Sequence, residues 1–272
     1  MPKLTIITIN YNNLSGLRKT IDSVLCQSYT DYEWIIIDGG SVDGSTELIK
    51  QNSNSFAYWC SEPDNGVFNA MNKGIILARG EYVQFLNSGD WYCHQDVLTE
   101  IFKNNPIDDI VYGNLIYVSS EREWINKVPD TITAEYLLSG KTILHSGGSF
   151  IKRTLFSQYG LYDESLNIVA DWAFFLRSVA LGTASTKYYD IELAYFDTDG
   201  ISNRQFDQSL LEVDEVKKQL VPGRILSDYD RFHKVEIEKE DLVRSYCSPK
   251  RLSKISWPVL IKTLLYKMVK GE

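Results

Sequence analysis

Residues 35–45 read IIIDGGSVDGS, an apolar run that stops at the carboxylate of Asp38 inside a turn rich in glycine and serine. A second run of this kind, YVQFLNSGD at residues 82–90, ends at Asp90. Continuous apolar runs are typical of strands buried on both faces of a parallel sheet. Open α/β sheets bind ligands at the carboxyl ends of such strands. The two carboxylates therefore indicate a site for a nucleotide and a divalent cation, unless they only shape turns.

The pattern of strands and helices repeats outward from these two runs. Strands are predicted at residues 4–9, 32–38, 57–60 and 82–87, and helices at 15–28, 45–51, 67–78 and 94–103. This alternation predicts an α/β fold with a mostly parallel central sheet flanked by helices. Beyond residue 105 the predicted strands are 110–118 and 123–128, as an antiparallel pair, then 149–152 and 187–195, with helices at 133–138, 170–181 and 205–220.

Domain boundaries follow from the same pattern. We expect a catalytic domain at residues 1–222, with a nucleotide-binding half at 1–105 and an acceptor-binding half at 106–222. A basic, helical C-terminal extension at 223–272 follows Pro222. The segment 244–272 carries seven basic side chains and one acidic one, a net charge of +6 that leaves −14 for residues 1–243 out of the total of −8. An acidic catalytic domain disfavours general binding to nucleic acid.

Cysteines and hydropathy bear on the compartment. The four cysteines, Cys26, Cys60, Cys93 and Cys247, are too widely spaced for a metal-ligand pair. The first strand starts at Leu4, which leaves no room for a targeting segment, and no apolar stretch reaches the roughly 18 residues of a membrane span. We therefore expect reduced cysteines and a cytoplasmic protein. The oligomeric state stays open.

Four ordered motifs together carry a resemblance to a known family. They are ITINYN at 7–12, IDGGSVDGS at 37–45, EPDNGVFNAMNKG at 62–74, and GEYV at 80–83 running into NSGD at 87–90. The chain resembles family 2 glycosyltransferases with the GT-A (Rossmann-like) fold, and most of all those that build bacterial surface polysaccharides. The resemblance implies a nucleotide-diphosphate-sugar donor, with UDP as the expected nucleotide, and Mn²⁺ or Mg²⁺. It also implies inverting transfer to a glycan or polyprenyl-diphosphate-linked acceptor.

The resemblance also implies roles for individual residues. The metal ligand would be Asp90; because Asn87 and Gly89 replace expected acids, either Asn87 adds a neutral oxygen or metal dependence is weak. The general base would be Asp171, at the start of a helix, where an aspartate also serves as a cap. The nucleotide-sugar contacts would be Thr8, Asn10, Tyr11, Asp38, Asp43, Asp64, Asn72, Lys73, Asn87 and Ser88, and the acceptor or lid contacts His145, Trp172 and Gly200.

Several of these assignments have alternatives. The ring of Tyr11 either stacks on the base or packs ordinarily, and Trp172 either forms part of an acceptor platform or lies in the core. Lys73 either approaches the diphosphate or is a solvated lysine, and Asp43 either binds or only shapes its turn. Gly39 replaces an acid that many relatives carry, which puts uracil recognition in question.

The basic tail and the competing functions remain. Residues 256–268 predict an amphipathic helix that either contacts anionic lipid, as a peripheral membrane contact through 244–270, or docks on protein. A dinucleotide oxidoreductase is excluded because residues 10–15 lack the Gly-x-Gly-x-x-Gly pattern. The alternative to an enzyme is a catalytically weak or inactive protein that binds nucleotide sugars as a scaffold.

Overall fold

The computed structural model describes residues 1–142, 147–198 and 206–246. The chain divides into two compact units, Met1–Leu220 and Val221–Glu272. The first unit contains the whole sheet. The described part of the second unit contains one long helix, Gly223–Tyr246.

The N-terminal part of the first unit alternates strands and helices, as its sequence predicts. Its elements are β1 (Leu4–Asn10), α1 (Leu14–Leu25), β2 (Tyr32–Asp38), α2 (Ser45–Gln51), β3 (Tyr58–Ser61), α3 (Val67–Leu77) and β4 (Tyr82–Phe85). Strand β1 is buried along its whole length. It pairs in parallel with β2 on one side and with β4 on the other. The carboxyl ends of all three strands therefore meet at one edge, on either side of Asn10.

The remainder of the first unit widens the sheet and adds helices. Its elements are β5 (Trp91–Tyr92), α4 (Val97–Phe102), β6 (Ile110–Val118), β7 (Glu123–Asn126), α5 (Ala134–Leu138), β8 (Ser149–Lys152), α6 (Arg153–Tyr159), α7 (Ala170–Phe175), β9 (Thr186–Asp197) and α8 (Phe206–Leu220). The strand order is β3-β2-β1-β4-β8-β6-β9-β5, with β7 paired to β6. Strand β8 is antiparallel to both β4 and β6, whereas β6 and β9 are parallel.

Three elements differ from the sequence prediction. Strand β5 was not predicted because it has only two residues and forms only through its pairing with β9. Helix α6 was also missed, since its lysine N-cap makes no side-chain hydrogen bond to mark its start. The helix predicted at 170–181 is α-helical only to Phe175 and continues as a π-helical turn, Leu176–Ala180.

The second unit begins with Val221 and continues into α9 (Gly223–Tyr246). Helix α9 lies within the basic, helical extension that the sequence predicts for residues 223–272. Among the described residues, no helix is long and apolar enough to cross a membrane. The amphipathic segment 256–268 and most of the basic tail 244–270 lie outside the described residues.

Candidate active site

Two loops meet at the carboxyl end of β1. The N–H of Gly39, just after β2, donates to the carbonyl of Asn10 over 2.9 Å. On the other side, the N–H of Ser88 donates to the carbonyl of Ile9 over 3.0 Å, and Asn13 Nδ2 donates to the carbonyl of Ser88 over 2.9 Å. The segments that carry Asp38 and Asp90 are thus tied to the same strand end.

Asp38 is fully buried and serves as the centre of one of these loops. Its carboxylate accepts hydrogen bonds from Asn10 Nδ2 at 2.7 Å, from Ser41 Oγ at 2.6 Å and from Ser61 Oγ at 2.5 Å, and the backbone N–H of Ser41 adds another. Burial alone would raise the pKa of Asp38, but these hydrogen bonds bring the pKa below its usual value. The carboxylate is therefore ionised and occupied by protein donors, so Asp38 shapes the loop that follows β2.

Asp43 ties the same loop to helix α1. Its Oδ2 accepts the backbone N–H of Leu14, the first residue of α1, over 2.8 Å. Its Oδ1 accepts the backbone N–H of Ser45 over 3.0 Å. These contacts agree with the alternative in which Asp43 shapes the Gly-Ser turn.

Tyr11 and Asp64 both border Gly39. A Cβ added to Gly39 would lie 3.1 Å from Tyr11 Cδ2 and 3.2 Å from Asp64 Oδ2, so the ring and the carboxylate both border this glycine. The side chain of Asp64 is 10% exposed, whereas Tyr11 is 68% exposed. An acid at position 39 would thus place its carboxylate where Asp64 already brings one, from the loop before α3.

Lys73 is paired with two carboxylates. Its Nζ lies 2.6 Å from Asp64 Oδ1 and 2.8 Å from Glu62 Oε1. Hydrogen bonds to Asp64 and Glu62 raise the pKa of Lys73 above its usual value. The charge of Lys73 is therefore compensated, and its ion pair holds the Asp64 carboxylate beside Gly39.

Asp90 lies at the junction of the β4–β5 segment with the end of β9. It is 5% exposed, and its Oδ1 accepts the backbone N–H of Asp197 over 3.1 Å. Gly89 has a φ of +104°, and a Cβ added there would lie 3.9 Å from Asp197 Oδ2. Two carboxylates therefore approach this point, although the described residues contain no cluster of three or more His, Cys, Asp or Glu that could hold a metal ion.

Asp171 lies in the first turn of α7 and is partly exposed. Its Oδ1 accepts the N–H of Trp172 over 2.8 Å. Burial raises the pKa of Asp171 to about 6, against which the backbone hydrogen bonds act only weakly. Its charge in turn adds to the effect of burial in raising the pKa of Tyr162. The ring of Tyr162 lies 5.6 Å from that of Phe85, the last residue of β4.

Three predicted site residues lie in the core, which for Trp172 is one of the two alternatives left open by the sequence. Thr8 is fully buried, donates to the carbonyl of Leu86 and accepts from Trp34 Nε1. Asn72 is 3% exposed and pairs with the backbone N–H and carbonyl of Tyr162. Trp172 is 1% exposed, and its Nε1 donates to the carbonyl of Leu137. Their polar atoms are used to join elements, so none of the three presents a surface to a ligand.

The lid and acceptor assignments to His145 and Gly200 lie outside the described residues. The structure also shows polar residues that the sequence did not single out. Ser61 could have been found, since it ends the strand next to Asp38 in register. The burial of Glu212 could not be predicted from the sequence, because the many charged residues of its helix are typical of a solvent-exposed helix.

Comparison with known proteins places the chain in a family. The profile of glycosyl transferase family 2 matches residues 5–160. An uncharacterized glycosyltransferase of Mycobacterium tuberculosis is 33% identical over 210 residues, which cover 75% of this chain and 78% of the relative. A PGL/p-HBAD biosynthesis glycosyltransferase of Mycobacterium bovis is 29% identical over 222 residues, which cover 78% of this chain and 83% of the relative.

Solved structures share the fold. TarS 1–349 of S. aureus in complex with UDP-GlcNAc gives a TM-score of 0.63 at 16% identity, covering 94% of this chain and 77% of that one. The chain spans 44% of the longer TarS chain. The mannosyltransferase PcManGT of Pyrobaculum calidifontis, in complex with GDP-Man and Mn²⁺, gives a TM-score of 0.55 at 17% identity. The match covers 72% of this chain and 56% of that one. The mixed sheet with its surrounding helices is thus the GT-A fold, and the chain belongs to glycosyl transferase family 2.

Proposed function

We propose that the chain is an inverting, hexosyltransferase-type glycosyltransferase. It moves a sugar from a nucleotide-diphosphate sugar to a glycan or lipid-linked acceptor in cell-envelope polysaccharide synthesis. The observation that carries the proposal is Asp171, a carboxylate with a pKa raised to about 6 in the first turn of α7. A base whose pKa lies near the working pH combines ionisation with a useful affinity for a proton.

The donor would bind at the carboxyl edge of the sheet. The exposed ring of Tyr11 offers a stacking face for the base, and Asp64 offers an acceptor for a base N–H. Asp38 and Asn10 would act indirectly, by fixing the loop at Ser41. UDP is the nucleotide we favour, since TarS is solved with UDP-GlcNAc; PcManGT, solved with GDP-Man, makes GDP the competitor to test.

The oxygen ligands at Asp90 fit a divalent cation. Mg²⁺ is commonly held by one or two carboxylates together with substrate phosphates, and the Asp90 carboxylate, whose Oδ1 accepts the N–H of Asp197, would be the protein ligand. Asn87 and Ser88, in the same segment, belong to the predicted donor contacts. A cation bound there would neutralise charge that develops on the diphosphate leaving group.

The proposed reaction is a direct displacement. Asp171 takes the proton of the acceptor hydroxyl while that oxygen forms a bond to the anomeric carbon. The bond from the anomeric carbon to the diphosphate breaks on the opposite face, and the nucleotide diphosphate leaves with the electron pair. One displacement inverts the anomeric configuration.

A nucleotide-sugar panel tests the proposal. Thermal shifts with UDP-GlcNAc, UDP, GDP-mannose and GDP, with and without Mn²⁺, identify the donor, because a ligand that binds only the folded state stabilises it. Asp171→Asn should keep the donor's thermal shift and lose about 100-fold or more of the turnover. The scaffold alternative, favoured by the unusual NSGD segment, predicts a thermal shift without turnover in the unmodified protein. No shift with any nucleotide would refute both.

A further inference from the structure

Glu212, a buried acid on helix α8, binds the residues that lead into α7. Glu212 is 7% exposed, whereas the neighbouring Leu210 and Leu211 are 53% and 67% exposed. This arrangement reverses the usual distribution, in which leucines are buried and glutamates are solvated. Burying a carboxylate is unfavourable unless several donors satisfy it. The position of Glu212 therefore calls for an explanation.

The donors come from the residues that lead into α7. The Oε2 of Glu212 accepts the backbone N–H of Ile168 over 2.9 Å and that of Val169 over 3.3 Å. Its Oε1 accepts the backbone N–H of Asn167 over 3.1 Å, and Gln208 Nε2 also donates to it over 3.2 Å. Burial alone would raise the pKa of Glu212, but the backbone hydrogen bonds bring the pKa below its usual value. The carboxylate is thus ionised at neutral pH.

This contact holds the segment that leads into α7. Val169, at the N-cap position, makes no side-chain hydrogen bond of its own, and its N–H and those of the two preceding residues donate to Glu212. An aspartate in a first helical turn often serves as the cap itself. Here Glu212 accepts the N–H groups of residues 167–169, and Asp171 accepts that of Trp172.

We propose that Glu212 is a positioning residue, which fixes the start of α7 so that the carboxylate of Asp171 faces the acceptor hydroxyl. This inference rests on the proposed function of Asp171 as general base. A displacement of about 1 Å at a reacting group is enough to reduce a rate about 100-fold. Loss of this contact should therefore reduce turnover without weakening donor binding, since the hydrogen bonds of Glu212 among the described residues go to residues 167–169 and Gln208.

Glu212→Gln is the informative variant, because it keeps the size of the side chain and one acceptor oxygen but loses the charge. Glu215→Gln is the matched control, since Glu215 is exposed on the same helix. Turnover is measured with UDP-GlcNAc and GDP-mannose in Mn²⁺. We expect Glu212→Gln to lower kcat about tenfold or more with KM for the donor within twofold, and Glu215→Gln to behave as the unmodified protein.

A double-mutant cycle separates positioning from a general structural defect. In the Asp171→Asn background, Glu212→Gln should cause no further loss of kcat, because it acts through Asp171. A full additional loss in that background, or an unchanged kcat in the single variant, overturns the proposal.

Hydrogen exchange supplies a readout that does not need activity. Glu212→Gln should speed exchange of the backbone amides of residues 167–169, and Glu215→Gln should not. Unchanged exchange overturns the positioning role alone. Absence of turnover in the unmodified protein overturns the proposed function, and the catalytic role of Glu212 with it. The two failures are therefore distinguishable.

Discussion

Asp38 shows at the residue scale which part of a strand-end contact can be predicted from the sequence. The sequence indicates a carboxylate at a strand end, and it is there. The structure surrounds it with Asn10, Ser41 and Ser61. Ser41 lies three residues along the same turn, whereas Asn10 and Ser61 lie opposite Asp38 on the two neighbouring strands. Strand register decides the last two contacts, so the strand-end position was predictable and the burial of the carboxylate was not.

Replacing Asp38 with asparagine should destabilise the protein. The NH₂ group of the new asparagine would face hydrogen-bond donors instead of accepting from them. Because a hydrogen bond to a charged group is worth about 1.5–3 kcal/mol, we expect a loss of about 3 kcal/mol in the free energy of unfolding at pH 7. The folded-state pKa is lowered, so the stabilisation is present above the unfolded pKa, about 3.9, and is lost as pH falls through the folded value. Urea unfolding between pH 2 and 7 measures both the loss of stability at pH 7 and its dependence on pH.

The exposed Asp22→Asn is the control and should change stability little at any pH in this range. An Asp38→Asn protein as stable as the unmodified one at pH 7 would contradict the structural role of the buried carboxylate.

Asp64 gives a second prediction at this scale. Asp64→Asn should weaken nucleotide binding about tenfold, because a charge-assisted acceptor beside Tyr11 is lost, worth about 1.4 kcal/mol. Glu62→Gln is the matched control, since Glu62 also pairs with Lys73 but its side chain is 58% exposed. Calorimetric titration with UDP and GDP measures the affinities. Equal affinities in the two variants would remove Asp64 from the proposed contacts with the base.

At the scale of elements, prediction succeeded where local pattern and tertiary pairing agree. Strand β2 and helix α2 have the predicted bounds, because each has a continuous apolar run or a clear amphipathic period. Strand β5 and the π-helical turn after Phe175 were missed, since only distant pairing or packing creates them. The metal and base assignments depended on the family resemblance, whereas Glu212 required the folded chain.

The loop at Gly147 is held closely against the sheet. Its N–H donates to the carbonyl of Phe85, and its carbonyl accepts from Gln84 Nε2. Its φ is +79°, and an added Cβ would lie 2.8 Å from Ala194 Cβ. This position therefore requires glycine for two reasons, its backbone conformation and the space around it.

Gly147→Ala and Gly160→Ala separate these two reasons. Gly160 has a φ of +87° with no atom within 4 Å of an added Cβ, so its alanine variant should lose only about 1–2 kcal/mol of unfolding free energy from backbone strain. Gly147→Ala adds a steric clash and should lose about 1–3 kcal/mol more. Urea denaturation compares them. Equal losses would show that the loop moves away from Ala194 without cost.

For the whole molecule, charge is divided between an acidic catalytic part and a basic tail. If the tail contacts anionic lipid, replacing Lys262, Lys267 and Lys270 with glutamate in the full chain should greatly reduce binding to vesicles rich in phosphatidylglycerol. Each basic residue near such a surface contributes about 1 kcal/mol. Vesicle sedimentation measures the bound fraction, with uncharged phosphatidylcholine vesicles as the control. Unchanged sedimentation would favour docking on protein.

The central claim is that Asp38, Asp90 and Asp171, distant in sequence, serve one cleft that binds a nucleotide sugar. A crystal structure with the donor that gives the largest thermal shift, and Mn²⁺, tests it most directly. We predict the base against Tyr11 beside Asp64, the diphosphate at Asp90, and the anomeric carbon on the side of Asp171. A donor bound elsewhere, or an Asp171 carboxylate directed away from the sugar, would contradict the account.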